Sequence, residues 1–179
     1  MKRTILIAVS AALFLFACKK DSGNNTNTST THFTVQIDGA ASSFNVSQQA
    51  QWGDTVYNGL LLRGLDIQAV SATDGIEFII LMPNTRPGVG TYTVNATGYA
   101  MDASYYPGYN STSTTFYYDN YSSLNPASTN PFQLTITAID SIGVKGTFQG
   151  ETYYTPFSTG NPDITKKKTF ASGDFYVKF

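Results

Sequence analysis

The sequence predicts an all-β protein: a single antiparallel β-sandwich or barrel of about ten short strands, set behind a disordered tether. Three observations carry that expectation. Apolar and polar residues alternate with period two along most of the chain after residue 32. Beyond the first eighteen residues no stretch shows an apolar stripe at helical spacing with capping residues at its ends. Gly, Pro, Asn and Asp punctuate the runs at intervals that suit strands.

Phe33, Val35 and Ile37 alternate with Thr34, Gln36 and Asp38, and Asp38-Gly39 closes the run. Phe44 and Val46 repeat the alternation, and residues 56–62 are apolar enough for one strand. Leu65-Asp66-Ile67-Gln68-Ala69-Val70 alternates again. Asp74-Gly75 separates it from Ile76-Glu77-Phe78-Ile79-Ile80-Leu81-Met82 and reads as a type I′ hairpin turn, which needs positive φ at both central residues. The latter half of that run is apolar on both faces, as a central strand would be. Pro87-Gly88-Val89-Gly90 turns into a strand at 91–96, with Tyr92 and Val94 on one face. Residues 112–118 are β-branched and aromatic and form a further expected strand. Phe132, Leu134, Ile136 and Ala138 give the cleanest alternation, followed by a turn at Asp140-Ser141-Ile142-Gly143. The next strand places Val144, Gly146, Phe148 and Gly150 on one face, and the last places Phe175, Val177 and Phe179 inward.

The first residues read as an address. Lys2 and Arg3 precede a nearly continuous apolar run over residues 5–16, too short to span a bilayer, which needs about 20 residues. The run ends in Leu15-Phe16-Ala17-Cys18, which resembles the bacterial lipobox. The resemblance implies cleavage before Cys18, lipidation of its thiol and acylation of the new amino group. The expected organisation is a signal peptide at 1–17, a lipidated Cys18 with a flexible tether at 18–32, and one β-domain at 33–179. Lys19, rather than Asp, in the position after the cysteine implies the outer membrane; the periplasmic and cell-surface sides both stay open. The tether DSGNNTNTSTT has no apolar residue to offset its ordering entropy.

Composition closes several routes. The 179 residues are 41% hydrophobic, 14% aromatic and 13% charged, with a net charge of −1. One Cys makes no intramolecular disulfide, zinc-thiolate site or iron–sulfur cluster, and one His makes neither a triad within the domain nor a multi-His metal site. The chain lacks the basic footprint of a nucleic-acid binder. No catalytic residue, metal ligand or cofactor is expected. The acids Glu77, Asp102, Asp119, Asp140, Glu151 and Asp174 are scattered, most beside turns, and read as solvated or turn-forming.

The segments LTITAIDSIGVKGTFQGETYY and KTFASGDFYVKF resemble the closing hairpin and last strand of small β-rich lipoproteins of unknown function from Bacteroidota, and FTVQIDG and GVGTYTV fit more loosely. That resemblance implies fold class and envelope location but no activity. The densest aromatic segment, residues 99–121, interleaves tyrosines with Ser, Thr, Asn and Gly, a recognition-loop chemistry. Tyr105, Tyr106, Tyr109, Tyr117 and Tyr118 are its candidate ligand-binding residues, for a glycan or a peptide; core packing is the competing role. Asp54-Thr55-Val56 and Asp140-Ser141-Ile142 match a three-residue O-glycosylation pattern, which makes Thr55 and Ser141 candidate acceptors. Trp52 reads as a core plug, and Lys166-Lys167-Lys168 as a solvated loop or a charged guard on an edge strand. The expected function is non-catalytic binding or an accessory role. The alternatives are an assembly partner of an outer-membrane complex and a carboxylate-dependent hydrolase.

Overall fold

The computed structural model describes residues 30–109, 120–123, 128–156 and 159–179. Its strands are β1 (His32–Ile37), β2 (Ala40–Ser43), β3 (Ser47–Tyr57), β4 (Leu60–Val70), β5 (Asp74–Pro83), β6 (Gly90–Thr93), β7 (Ala100–Pro107), β8 (Asn120–Ser122), β9 (Gln133–Ile139), β10 (Gly143–Thr155) and β11 (Asp163–Lys178). The protein is all-β, with no helix among the described residues. Nine strands form one antiparallel sheet in the order β2-β1-β11-β10-β8-β7-β5-β4-β3. β10 is long enough to take two partners on one side: residues 144–149 pair with β9 and residues 153–155 with β8, while β6 pairs with the far edge of β9.

The sheet curls into a half-barrel, so strands far apart in its order face each other across the core. Phe33 on β1 and Phe78 on β5 stack at 5.7 Å although their strands never pair. Phe78 also meets Phe148 at 4.8 Å and Phe132 at 5.4 Å. Phe33, Phe44, Phe78, Phe132, Phe170 and Phe175 are all fully buried, and contacts between such rings add to the area they remove from water. Period two accounts for most of the core: on β1, β10 and the second half of β11 the apolar positions of the alternation are the buried ones, and on β9 they are so up to Ile136. Beyond it a register shift against β10 leaves Ala138 exposed and turns Ile139 toward the core instead.

Local chemistry sets the turns, and several differ from the sequence expectation. Asn58 and Gly59 both have positive φ (49° and 76°) and turn β3 into β4, splitting what reads as one strand at 56–62. Asp74 and Gly75 are instead the first residues of β5, with Gly75 opposite Val70. The turn before them is held by Ser71, whose hydroxyl accepts from the Asp74 and Thr73 amides. Asp38-Gly39 does make a positive-φ hairpin turn. Asp140 accepts from the Ile142 and Gly143 amides in its turn, as the Asp-Ser-Ile-Gly pattern suggests. His32, assigned above to the tether, is the first residue of β1 and bonds Asp174 on β11 at 2.6 Å. Phe179 is not buried as Phe175 and Val177 are: it is 40% exposed and stacks at 5.3 Å on Trp52, which itself packs against the core. The segments expected to be a leader and most of a tether, with Cys18, and the strand expected at 112–118 lie outside the described residues.

Candidate functional site

One face of the sheet lines the aromatic core; the other carries two rows of polar side chains. Register aligns Gln51, Asp66, Ile79 and Asp102 across β3, β4, β5 and β7. One step along each strand's outer face, Gln49, Gln68, Glu77, Ser104 and Ser122 align across β3, β4, β5, β7 and β8. Apart from Ile79, which separates Asp66 from Asp102 in the first row, these are polar residues of the strands' outer face, so the packing that buries Leu65, Ile67, Phe78 and Ala103 on one side presents them together on the other.

The row residues bond to each other. Gln68 donates both hydrogens of its side-chain amide, to Asp66 Oδ2 at 2.9 Å and to Glu77 Oε1 at 3.0 Å, and its own oxygen accepts from Gln49 at 3.2 Å. Gln51 donates to Asp66 Oδ2 at 2.8 Å, and the Tyr106 hydroxyl donates to Glu77 Oε2 at 3.2 Å. Asp102 accepts from the hydroxyls of Ser104, Ser122 and Ser123, each at 3.1 Å. Asp66 and Glu77 are only 4% and 6% exposed, while Gln51, Gln68, Asp102 and Tyr106 are half-buried around them. The result is a buried carboxylate floor with a polar rim.

Burial pushes the Asp66 carboxyl up to about 6, against the two glutamine amides that favour its charge. Burial, then the charges of Asp66 and Asp102, push Glu77 up to about 8. Burial also raises Asp102, against its three serine donors. Among the described residues no group of three or more His, Cys, Asp or Glu is arranged to hold a metal ion.

A second acid is treated differently. Glu151 on β10 is buried, but Lys167 lies 2.7 Å from Oε1 and the Tyr153 hydroxyl 2.6 Å from Oε2. These partners, Lys167 first, hold its carboxyl below the usual range. Lys166 and Lys168 pair with Asp163 and Asp38 and lie over the rings of Tyr154 and Tyr121. The three lysines stand on the part of β11 that extends beyond the last β1 pairing, Ile37 with Phe170, and so guard a locally open edge.

The candidate tyrosines separate. Tyr105 is a correction: it is 6% exposed and packs on Phe170 in the core, because neighbouring strand residues point to opposite faces. Tyr106, on the other face of β7, joins the carboxylate site. Tyr109 lies over the end of that site, with its ring 3.3 Å from the place a Cβ would take on Gly75. Tyr117 and Tyr118 lie outside the described residues, as does Asp119. Ser141 is exposed in its turn, and Thr55 is half-buried opposite Leu62. The acids are not uniformly scattered: Glu77 and Asp102 meet on one face, joined by Asp66, which the sequence reading passed over. Its signal was an acid at the polar position of an alternating strand that neighbours an apolar one. Trp52 is partly buried against the core, beneath the Arg86 guanidinium at 4.9 Å.

Comparison with protein-family models, curated proteins and solved structures finds no match for this chain.

Proposed function

We propose that this chain is an outer-membrane lipoprotein, anchored through Cys18, that works by binding rather than by catalysis. The ligand, a glycan or a peptide, sits on the outer face of β3, β4, β5 and β7. The observation that supports this reading is the pair of aligned rows, in which amides, carboxylates and hydroxyls from adjacent strands converge at fixed spacing. A rigid polar array flanked by Tyr106 and Tyr109 suits a ligand rich in hydroxyl or amide groups.

Gln68 supports binding over the carboxylate-hydrolase reading. A glycosidase places the scissile bond between its two acids. Here the amide of Gln68 stands between Asp66 and Glu77, bonded to both. The assembly-partner reading draws on a different feature: β3 is an eleven-residue edge strand, with Val56 68% exposed near its end.

Glycan-array and calorimetric screening of the intact protein tests the binding site. A variant carrying Gln51→Ala, Tyr106→Phe and Tyr109→Ala is expected to bind each detected ligand at least tenfold more weakly, with an unchanged circular-dichroism spectrum. Unaltered binding by that variant would place the site elsewhere. One stoichiometric protein partner captured by crosslinking in cells, with no small ligand detected, would favour the assembly reading.

A further inference from the structure

One end of the half-barrel gathers apolar side chains that the fold leaves outside the core. The antiparallel pairings bring the β3–β4 turn, the loop between β5 and β6, the β9–β10 turn, the end of β11 and the start of β1 to that end. Val56, Leu60, Val89, Ile142 and Phe179 all stand there, five of the seven exposed large hydrophobic side chains among the described residues. The elements that carry them are tied together. The Phe179 amide donates to the Ile142 carbonyl at 3.1 Å, and its ring stacks on Trp52, which the Arg86 guanidinium also overlies. The Asn84 amide donates to the Leu61 carbonyl at 3.0 Å and holds the β5–β6 loop beside β4. Cations collect at the same end. Arg63, Arg86, Lys145 and Lys178 have no acid within 4.0 Å among the described residues, whereas Lys166, Lys167 and Lys168 toward the other end each have one. The acids here are Asp54, Asp140 and Asp174; Asp140 accepts from the amides of its own turn, and Asp174 is paired with His32.

We propose that this end of the half-barrel rests on an anionic phospholipid leaflet, with Val56, Leu60, Val89, Ile142 and Phe179 in the interface and Arg86 and Lys178 at the headgroup phosphates. The inference rests on the lipoprotein reading above and specifies how the domain meets its membrane. Single exposed apolar side chains need no partner. Five at one end, with unpaired cations among them, match a surface that combines apolar area with attraction to anionic lipid. Chain direction points the same way, because β1 starts at this end with His32. A flexible chain of the length that separates Cys18 from His32 has a root-mean-square span of about 20 Å. A lipid on Cys18 thus keeps this end near the leaflet, and a contact too weak to hold a free protein suffices to orient an anchored one. The polar rows of β3, β4, β5 and β7 lie along the side of the sheet, so the docked domain leaves them open to a ligand.

The test places the protein, purified from its host membrane, on vesicles of phosphatidylcholine alone and on vesicles that also contain phosphatidylglycerol. Amide hydrogen exchange and lysine acetylation by a soluble reagent are read on both. On the anionic vesicles the Asn58-Gly59 turn is expected to exchange at least fivefold more slowly and Lys178 to be acetylated at least fivefold more slowly, with Lys166 unchanged. The wild-type comparison needs no variant to fold. Val56→Ser combined with Arg86→Glu, both at exposed positions, is expected to remove the difference while the protein stays on the vesicles. Equal exchange and labelling on the two vesicles, with the protein bound to both, overturns the docking inference and leaves the anchor in place. Protection already present in detergent that grows with protein concentration overturns it in favour of a second copy of the chain. A protein that carries no acyl mass and stays off both vesicles overturns the lipoprotein reading and this inference with it.

Discussion

Phe148 on β10 and Phe175 on β11 each lie over a glycine of the other strand. Gly173 is opposite Phe148, and Gly146 is opposite Phe175. A Cβ added to Gly173 would stand 2.7 Å from the Phe148 ring, and one added to Gly146 would stand 2.8 Å from the Phe175 ring. The glycines are therefore the sockets of two aromatic side chains at the centre of the core. Gly173→Ala should destabilise the fold by about 1–3 kcal/mol, the usual range for overpacking, and lower the urea midpoint with little change in slope. An unchanged midpoint would mean that Phe148 has room to move. The alternation of Val144, Gly146 and Phe148 was legible in the sequence, as was the buried face it makes. The reciprocal pairing was not, because it depends on the register between two strands. Tyr105 and Tyr106 show the same limit. Composition gathers them into one aromatic cluster, and the pleat sends one to the core and the other to the polar face.

The strands themselves were legible wherever apolar and polar residues alternate cleanly, as on β1, β9 and the first half of β10. They were less so where polar residues cover a long edge. β3 reads Ser-Gln-Gln-Ala-Gln-Trp, with only Ala50 fully buried in the strand, and the sequence gives it no stripe to find. The Asn58-Gly59 turn carried a usable signal, since Asn-Gly is a favoured type I′ pair, but the apolar residues around it masked the break. The carboxylate face belongs to this scale because it exists only where β3, β4, β5 and β7 lie side by side. It predicts a pH dependence opposite to that of an ordinary salt-bridged protein. Asp66 and Glu77 have ordinary values of 3.8 and 4.5 and are raised to about 6 and about 8 in the fold. Between these limits the folded chain holds protons that the unfolded chain has released, so stability falls as pH rises from about 4 to about 8. The loss, on the order of a few kcal/mol, should appear as a lower urea midpoint at pH 8.5 than at pH 5. Glu77→Gln should flatten much of that slope. A slope that survives in Glu77→Gln would assign it to other groups.

At the scale of the whole molecule, the all-β class was legible from period two and the curl of the sheet into a half-barrel was not. Phe33 meets Phe78 across the curl, and β10 divides one edge between β9, its hairpin neighbour, and the more distant β8, a pairing that no local pattern encodes. The proposed anchor also acts at this scale. Replacing Cys18 with Ala should move the protein from the membrane fraction to the soluble fraction and remove the acyl mass from the intact chain. Retention in the membrane would show that something other than a lipid on Cys18 holds the protein there. The placing of β1 has a further consequence, for the order of events in folding. β1 lies between the four-residue β2 and β11, so its one long partner is the last strand of the chain, with Phe33 opposite Phe175. Among the described strands β1 is held only by β2 until β11, the last of them, is made. Pairings of such wide sequence separation slow folding, typically to milliseconds or longer. Until β11 arrives, β1 keeps an open edge and Phe33 lacks the Phe175 ring. The newly made chain thus passes through a stage in which its aromatic centre is incomplete.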